Sequence, residues 1–309
     1  MKIGFIGLGL MGRGMAANLH KAGHELIVND LSRDASLPFL EQGAAWAETP
    51  KELGAAVELV FTSLPTPPDV EKVGFGQDGL AEGLRPGATW FDLSTNSVDV
   101  VRRLHERANA AEIRFLDAPV SGGPGGAASG KMAIWVGGDR AAFDQYETVL
   151  SAMADRLRYI GEIGAGSIAK LVHNMAAAAI NAITAEVMTL GVKAGLDAVP
   201  LYEAMRTGAV GRMRSFDQVG PRFLQGKLDP PSFALRLLQK DIDLTLQLAK
   251  EVRVPMRLCE LVGLEITEAM NRGWGARDSQ SFLLLQQERA AVPPFAATEA
   301  QVKAVFEET

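Results

Sequence analysis

Ile3-Gly4-Phe5-Ile6-Gly7-Leu8-Gly9-Leu10-Met11-Gly12 is an apolar run with strand character that ends in G-x-G-x-x-G and opens a helical pattern. In that setting glycines let backbone amides approach a pyrophosphate at the positive end of a helix. Gly7, Leu8, Gly9, Leu10, Met11 and Gly12 are therefore expected to cradle a dinucleotide, with Arg13 and Asn18 left on the helix surface. Asp30 closes the next apolar run, Leu26-Ile27-Val28, 23 positions after Gly7. An acid about 20 residues on is what accepts the ribose hydroxyls of the adenosine half. A carboxylate there repels a 2′-phosphate, so NAD is expected over NADP. Ser32-Arg33 is the alternative receiver of that phosphate, and otherwise a solvated loop.

Outward from this motif, apolar runs continue at Leu59-Val60-Phe61-Thr62, Thr89-Trp90-Phe91-Asp92, Ile113 to Leu116, Met132 to Val136 and Leu157 to Ile160, with a helix from about Arg140 to Met153. Strands alternating with helices imply a parallel sheet. The alternation ends near Gly161, and after Gly164-Ala165-Gly166 the apolar period becomes helical, with Ile180, Ile183, Val187 and Leu190 on one stripe. A helix from near Ser167 to about Ala194 should stop at Gly195, with Asp197 as the next N-cap. Later helices are expected over about Pro200–Arg206, Ser232–Glu251, Met256–Arg272 and Asp278–Ala290. The expected fold is α/β: an N-terminal Rossmann-like dinucleotide-binding domain over 1–163, a long connecting helix, and an all-α substrate and oligomerisation domain over 164–309. A chain of 309 residues suits two domains, since one domain typically takes about 100–200.

Composition narrows the function classes. Hydrophobic residues at 47% and charged residues at 22% exclude a disordered polyelectrolyte. A formal charge of -6 supplies no field that would draw the chain to nucleic acid or an anionic membrane. The single cysteine, Cys259, and four scattered histidines leave neither a disulfide nor a zinc-ligand spacing, so no metal is expected and the compartment should be reducing. Met1-Lys2 runs straight into a strand without a targeting signal, which points to the cytoplasm. The most apolar stretch, Met175 to Thr184, has 10 residues where a membrane span needs about 20, so it is read as a buried core helix and no membrane partner is expected.

Three groups could carry chemistry. Asp117-Ala118-Pro119-Val120-Ser121-Gly122-Gly123 sets a hydroxyl and backbone amides after a strand, where they can converge on one anion such as a carboxylate. The rest of that loop, to Gly130, reads equally well as a flexible turn. Lys170 and Asn174 sit at i and i+4 and project from one helix face. A lysine pKa of about 10.4 falls toward a range useful for proton transfer on partial burial or beside a cation, while an ordinary surface charge is the alternative. His173 either borders the site or packs in the core. Phe233, Lys240 and Asp241 fall in one helical pattern, with Phe233 and Lys240 on nearly the same face. Arg206, Arg212 and Arg214 flank a glycine-bearing loop, as surface charges or as partners for a second substrate anion.

Taken in order, Gly7-x-Gly9-x-x-Gly12, Leu64-Pro65-Thr66, Asp117 to Gly123, Gly164-x-Gly166-x-x-x-Lys170-x-x-x-Asn174 and Lys240-Asp241 resemble the β-hydroxyacid dehydrogenases, the group of 3-hydroxyisobutyrate dehydrogenase and tartronate semialdehyde reductase. The resemblance spans nearly the whole chain. It implies NAD(P)-dependent alcohol oxidation, with Lys170 as general acid/base and Asn174 positioning the reacting group. Ser121, Gly122 and Gly123 would hold a small carboxylate substrate. Leu64, Pro65 and Thr95 would line the nicotinamide side, and Lys240 would reach cofactor and substrate. A homodimer or homotetramer is also implied. Carboxylate grip at Ser121 and contact of Lys170 with the reacting oxygen favour a hydroxyl on the β-carbon, as in 3-hydroxyisobutyrate, 3-hydroxypropionate, glycerate or serine. Lys170-x-x-His173-Asn174 also resembles the 6-phosphogluconate dehydrogenases, but here Met175 and alanines follow in place of their aromatic-bearing segment. An NADP-preferring semialdehyde reductase is a further alternative. A noncatalytic nucleotide sensor on the same fold is the reading from a different class, against which stand Lys170 and Asn174.

Overall fold

The seven apolar runs become strands, and two short strands that the sequence does not announce, Ala45–Trp46 and Val120–Ser121, bring the number among the described residues to nine: β1 (Lys2–Ile6), β2 (Glu25–Asn29), β3 (Ala45–Trp46), β4 (Leu59–Thr62), β5 (Thr89–Asp92), β6 (Arg114–Asp117), β7 (Val120–Ser121), β8 (Met132–Gly137) and β9 (Ala154–Gly161). The computed structural model describes residues 1–208, 211 and 217–307. Within it, residues Met1–Leu171 and Val172–Thr309 each form a compact unit.

In the first unit the strands form one sheet in the order β3-β2-β1-β4-β5-β6-β8-β7, with β9 also paired to β8. Every residue of β4 and β5 is buried, as expected of strands covered on both faces. Alternate side chains serve opposite faces. Phe61 stacks on Phe91 with centroids 5.6 Å apart, while Trp90 meets Phe115 edge-on at 4.7 Å. β1 to β6 run parallel, and the strand order reverses at β1, which lies between β2 and β4. Ligands of such sheets bind beyond the carboxyl ends at that reversal.

The sheet is mixed, which corrects the all-parallel expectation. β8 runs antiparallel to both β6 and β7, and parallel to β9. After β6 the chain turns through β7 and a short helix, Gly123–Ser129, and returns alongside β6 instead of crossing a face. An apolar run reports that a strand exists and carries no sign of its direction.

Among the described residues the second unit holds helices and turns but no named strand. A 29-residue helix, Ala165–Lys193, runs through the division between the units. It ends before Gly195, whose φ of 106° is the left-handed backbone that favours glycine. Asp197 does precede the next helix, Ala198–Thr207, though its side chain makes no capping bond. The helices Leu235–Glu251 and Arg257–Asn271 follow.

The helix expected from Ser232 begins at Leu235, because the Asp278 carboxylate takes the Ser232 N–H and hydroxyl, each at 2.8 Å, and Ala234 bridges to Asp278. Phe233 therefore lies outside the helix that carries Lys240, and the shared-face reading fails. The expected helix from Asp278 splits into a tight turn, Ser279–Leu283, and a short helix, Leu284–Arg289. Met175 to Thr184 is only half a core element: Met175 and Ala178 are buried while Ile183 is 59% exposed, and further along Leu190 is 68% exposed. The whole helix is long and apolar enough, by length and composition, to cross a membrane, and 33% of its most apolar window is buried.

Candidate active site

The glycine motif divides its labour. Gly7 turns the chain at φ 95°, and a Cβ there would lie 2.3 Å from the Ser63 carbonyl oxygen. A Cβ on Gly12 would lie 1.8 Å from the Gly7 oxygen, so the helix Gly12–Lys21 meets the turn at a distance only glycine permits. At Gly9 a Cβ would meet nothing within 4 Å. That open side is where a phosphate group would approach backbone amides, so the motif fits a dinucleotide.

Asp30 follows β2 directly. Its carboxylate accepts the N–H of Leu8 at 2.7 Å and of Ser32 at 2.8 Å, which ties it to the glycine turn. Arg33 points elsewhere: it pairs with Glu48 at 3.0 Å and lies 5.6 Å from the Trp46 ring centroid. Asn18, expected on the helix surface, donates to the Ala127 carbonyl at 2.7 Å. With Gly14 packed against Ala127, this docks Gly123–Ser129 as a helix, so the stretch after Ser121 is an ordered element. Ser121 itself ends β7 opposite Ala133.

Asp117, at the end of β6, is 1% exposed, and its two oxygens accept the N–H groups of Gly164 at 2.8 Å and Ser167 at 2.6 Å. It thus binds the start of the helix that carries Lys170 to the strand that leads into Ser121. A Cβ on Gly166 would lie 2.3 Å from the Trp135 oxygen, so this junction is close-packed. Burial pushes the Asp117 carboxyl above the usual carboxylate range, against the pull of those backbone donors. The charge is costly to bury and is held where two amides at a positive helix end face it.

Asn174 lies one turn beyond Lys170 on the same helix. In the second unit it donates to Asp241 Oδ2 at 2.5 Å, and Lys240 Nζ pairs with Asp241 Oδ1 at 2.8 Å. Asp241 is 2% exposed, so one buried carboxylate orients two of the expected site residues. Sequence alone assigns Asp241 no role of its own. A carboxylate beside a lysine on a helix was the available signal, and its partner Asn174 lies 67 positions away. His173 is exposed, not packed in a core. Arg206 is held by the Gly211 carbonyl and by Asp217, while Arg212 and Arg214 lie outside the described residues.

Comparison with known proteins covers both halves of the chain. Residues 2–161 match the family model described as the NAD binding domain of 6-phosphogluconate dehydrogenase. Residues 164–285 match the one described as NAD-binding of NADP-dependent 3-hydroxyisobutyrate dehydrogenase. The chain is 38% identical over 256 residues to 3-hydroxyisobutyrate dehydrogenase of Pseudomonas aeruginosa, covering 81% of this chain and 86% of that one. It is 35% identical over 250 residues to 2-hydroxy-3-oxopropionate reductase of Escherichia coli, covering 81% and 85%. The crystal structure of 3-hydroxyisobutyrate dehydrogenase from Salmonella typhimurium superposes with a TM-score of 0.84 at 30% identity, covering 92% of this chain and 99% of that one.

Proposed function

The chain belongs to the β-hydroxyacid dehydrogenase family, and on that premise we propose that it oxidises the hydroxyl of a small β-hydroxy acid with NAD as the hydride acceptor. The observation that carries the assignment of roles is the Asp117 clamp, which fixes the anion loop to the start of the Lys170 helix. Ser121, Gly122 and Gly123 hold the substrate carboxylate through a hydroxyl and backbone amides. Neutral Lys170 takes the hydroxyl proton at Nζ during oxidation and returns it during reduction. Asn174 positions the reacting group, its amide oriented by Asp241. Gly7 to Gly12 and Asp30 hold the pyrophosphate and adenosine ribose, Leu64, Pro65 and Thr95 line the nicotinamide side, and Lys240 reaches both ligands. When bound, the nicotinamide supplies the C4 carbon that receives the carbinol hydride.

Ser121→Ala tests the carboxylate grip. Loss of one charge-assisted hydrogen bond is expected to raise KM for the acid about tenfold with kcat within about threefold of the native value. Unchanged KM would contradict the assignment.

NADP is the second reading, favoured by the description of the family model that covers the helical half. Two features support NAD: the Asp30 carboxylate beside the glycine turn, and the engagement of Arg33 by Glu48. NAD should show the higher kcat/KM, and Asp30→Ala should narrow that advantage about tenfold as the repulsion of a 2′-phosphate disappears. Equal or better efficiency with NADP in the native chain would overturn this preference.

The working form is a homo-oligomer. Ile183, Val187 and Leu190 on one helix and Leu258, Leu261 and Leu264 on another are exposed, and a second copy of the chain would take these side chains out of water. Light scattering should give a mass at least twice the 33.0 kDa of the chain, and a monomer would contradict it. A lone thiol, Cys259, fits work in a reducing compartment such as the cytoplasm.

A further inference from the structure

We propose that Asp92 is a positioning residue for the nicotinamide half of the cofactor site, acting by tying the loop after β4 to the loop after β5. The inference rests on the cofactor reading above and extends it to a residue outside the glycine motif.

Asp92 ends β5 and is 1% exposed. Its Oδ1 accepts from the Thr62 hydroxyl at 2.8 Å, the Ser94 hydroxyl at 2.6 Å and the Ser94 N–H at 3.2 Å. Its Oδ2 faces the Asn96 amide at 3.4 Å. The network reaches further through the two hydroxyls. Thr62 Oγ1 accepts the Trp90 indole N–H at 2.9 Å, and Ser94 Oγ accepts the Leu64 N–H at 2.9 Å. One carboxylate thereby fixes Thr62 at the end of β4, Leu64 in the loop beyond it, and Ser94 and Asn96 on either side of Thr95.

The donors that face Asp92 among the described residues are all neutral, so an ion pair does not explain its burial. Burying a carboxylate among neutral donors is costly, and an apolar or amide side chain would hold two adjacent strands at less cost. What neither can supply is an acceptor on both oxygens. An asparagine would turn its own amide toward that of Asn96, or take its carbonyl away from the three donors at Oδ1. The carboxylate is matched to loop geometry more closely than to strand packing.

Placement in the sheet says which half of the cofactor is affected. Strand order reverses at β1, and a dinucleotide crosses the sheet at such a reversal, its two halves on opposite sides. Asp30 follows β2, on the adenosine side, while Asp92 ends β5 on the other. The tethered loop also abuts the glycine turn, since a Cβ on Gly7 would meet Ser63 O at 2.3 Å and Leu64 Cδ2 at 3.1 Å. Releasing Leu64 and Thr95 should therefore disturb the nicotinamide half and leave the Asp30 side in place.

Calorimetric binding of NADH and of ADP-ribose, which lacks the nicotinamide, separates the two halves without reading turnover. Asp92→Asn is expected to weaken NADH about tenfold while ADP-ribose stays within about twofold. The exchange Asp92→Asn with Asn96→Asp returns a donor–acceptor pair to the site and should recover most of the NADH affinity. Ser94→Ala removes only the hydroxyl between Leu64 and Asp92, should show the same split more weakly, and carries the test if Asp92→Asn does not fold. Equal loss of both ligands, or undiminished NADH binding in the folded variants, would overturn the inference. A native chain that binds NADH no more tightly than ADP-ribose would overturn the inference alone, whereas one that binds neither would overturn the cofactor reading, and the inference with it.

Discussion

Lys170→Ala should lower turnover by about 1000-fold, the middle of the range for loss of a positioned general acid/base, and leave NADH affinity nearly unchanged. Lys170 is half-buried in the second turn of a helix whose first amides are held by Asp117, so its removal deletes an ammonium from a rigid support. Native oxidation should accelerate on the alkaline side, since only the neutral amine can accept the hydroxyl proton, and the variant should lose that pH dependence. Single-turnover rates across pH read the chemical step directly. Turnover within a few-fold of native, or a pH profile shared by both proteins, would remove Lys170 from the mechanism.

The second large effect separates two glycines three residues apart. Gly12→Ala puts a methyl group 1.8 Å from the Gly7 carbonyl oxygen and 3.2 Å from the Phe5 ring, so helix and turn must part. It should destabilise the chain by about 3 kcal/mol or more, in the range reserved for overpacking against backbone, and abolish NADH binding. Gly9→Ala meets no protein atom within 4 Å and should leave unfolding within about 0.5 kcal/mol of native. It should nonetheless weaken NADH at least about tenfold, because the methyl group occupies the approach of the pyrophosphate. Thermal unfolding paired with NADH titration checks both variants. Native-like melting of Gly12→Ala, or native affinity in Gly9→Ala, would contradict this division of roles.

Much of the fold was legible because its signals are local. The glycine turn, Asp30 and the apolar runs of β1, β4 and β5 are continuous in sequence, and the change from short apolar runs to helical spacing after Gly164 marks where strands cease among the described residues. What was hidden depends on residues far apart. Asp117 meets Gly164 across 47 positions, Asn174 meets Asp241 across 67, and Thr62 meets Asp92 across 30. No spacing rule reveals such a pair. Ser232 to Ala234 reads as helical because the competing acceptor, the Asp278 carboxylate, enters from 46 positions away. β3 and β7 have two residues each, too few for any period. The stripe of Ile183, Val187 and Leu190 is visible in sequence, but periodicity states only that the residues share a face, and that face proves to be exposed within the chain.

The central claim, NAD-linked oxidation of a small β-hydroxy acid, is tested most directly by the appearance of NADH absorbance across one panel of acids. The panel contains 3-hydroxyisobutyrate, 3-hydroxypropionate, glycerate, serine and 6-phosphogluconate, with carbon dioxide measured alongside. The account predicts the highest kcat/KM for one of the four short β-hydroxy acids, with no NADH formed by Lys170→Ala above a trace. Preference for 6-phosphogluconate with release of carbon dioxide, or no NADH from any of the short acids, would contradict it.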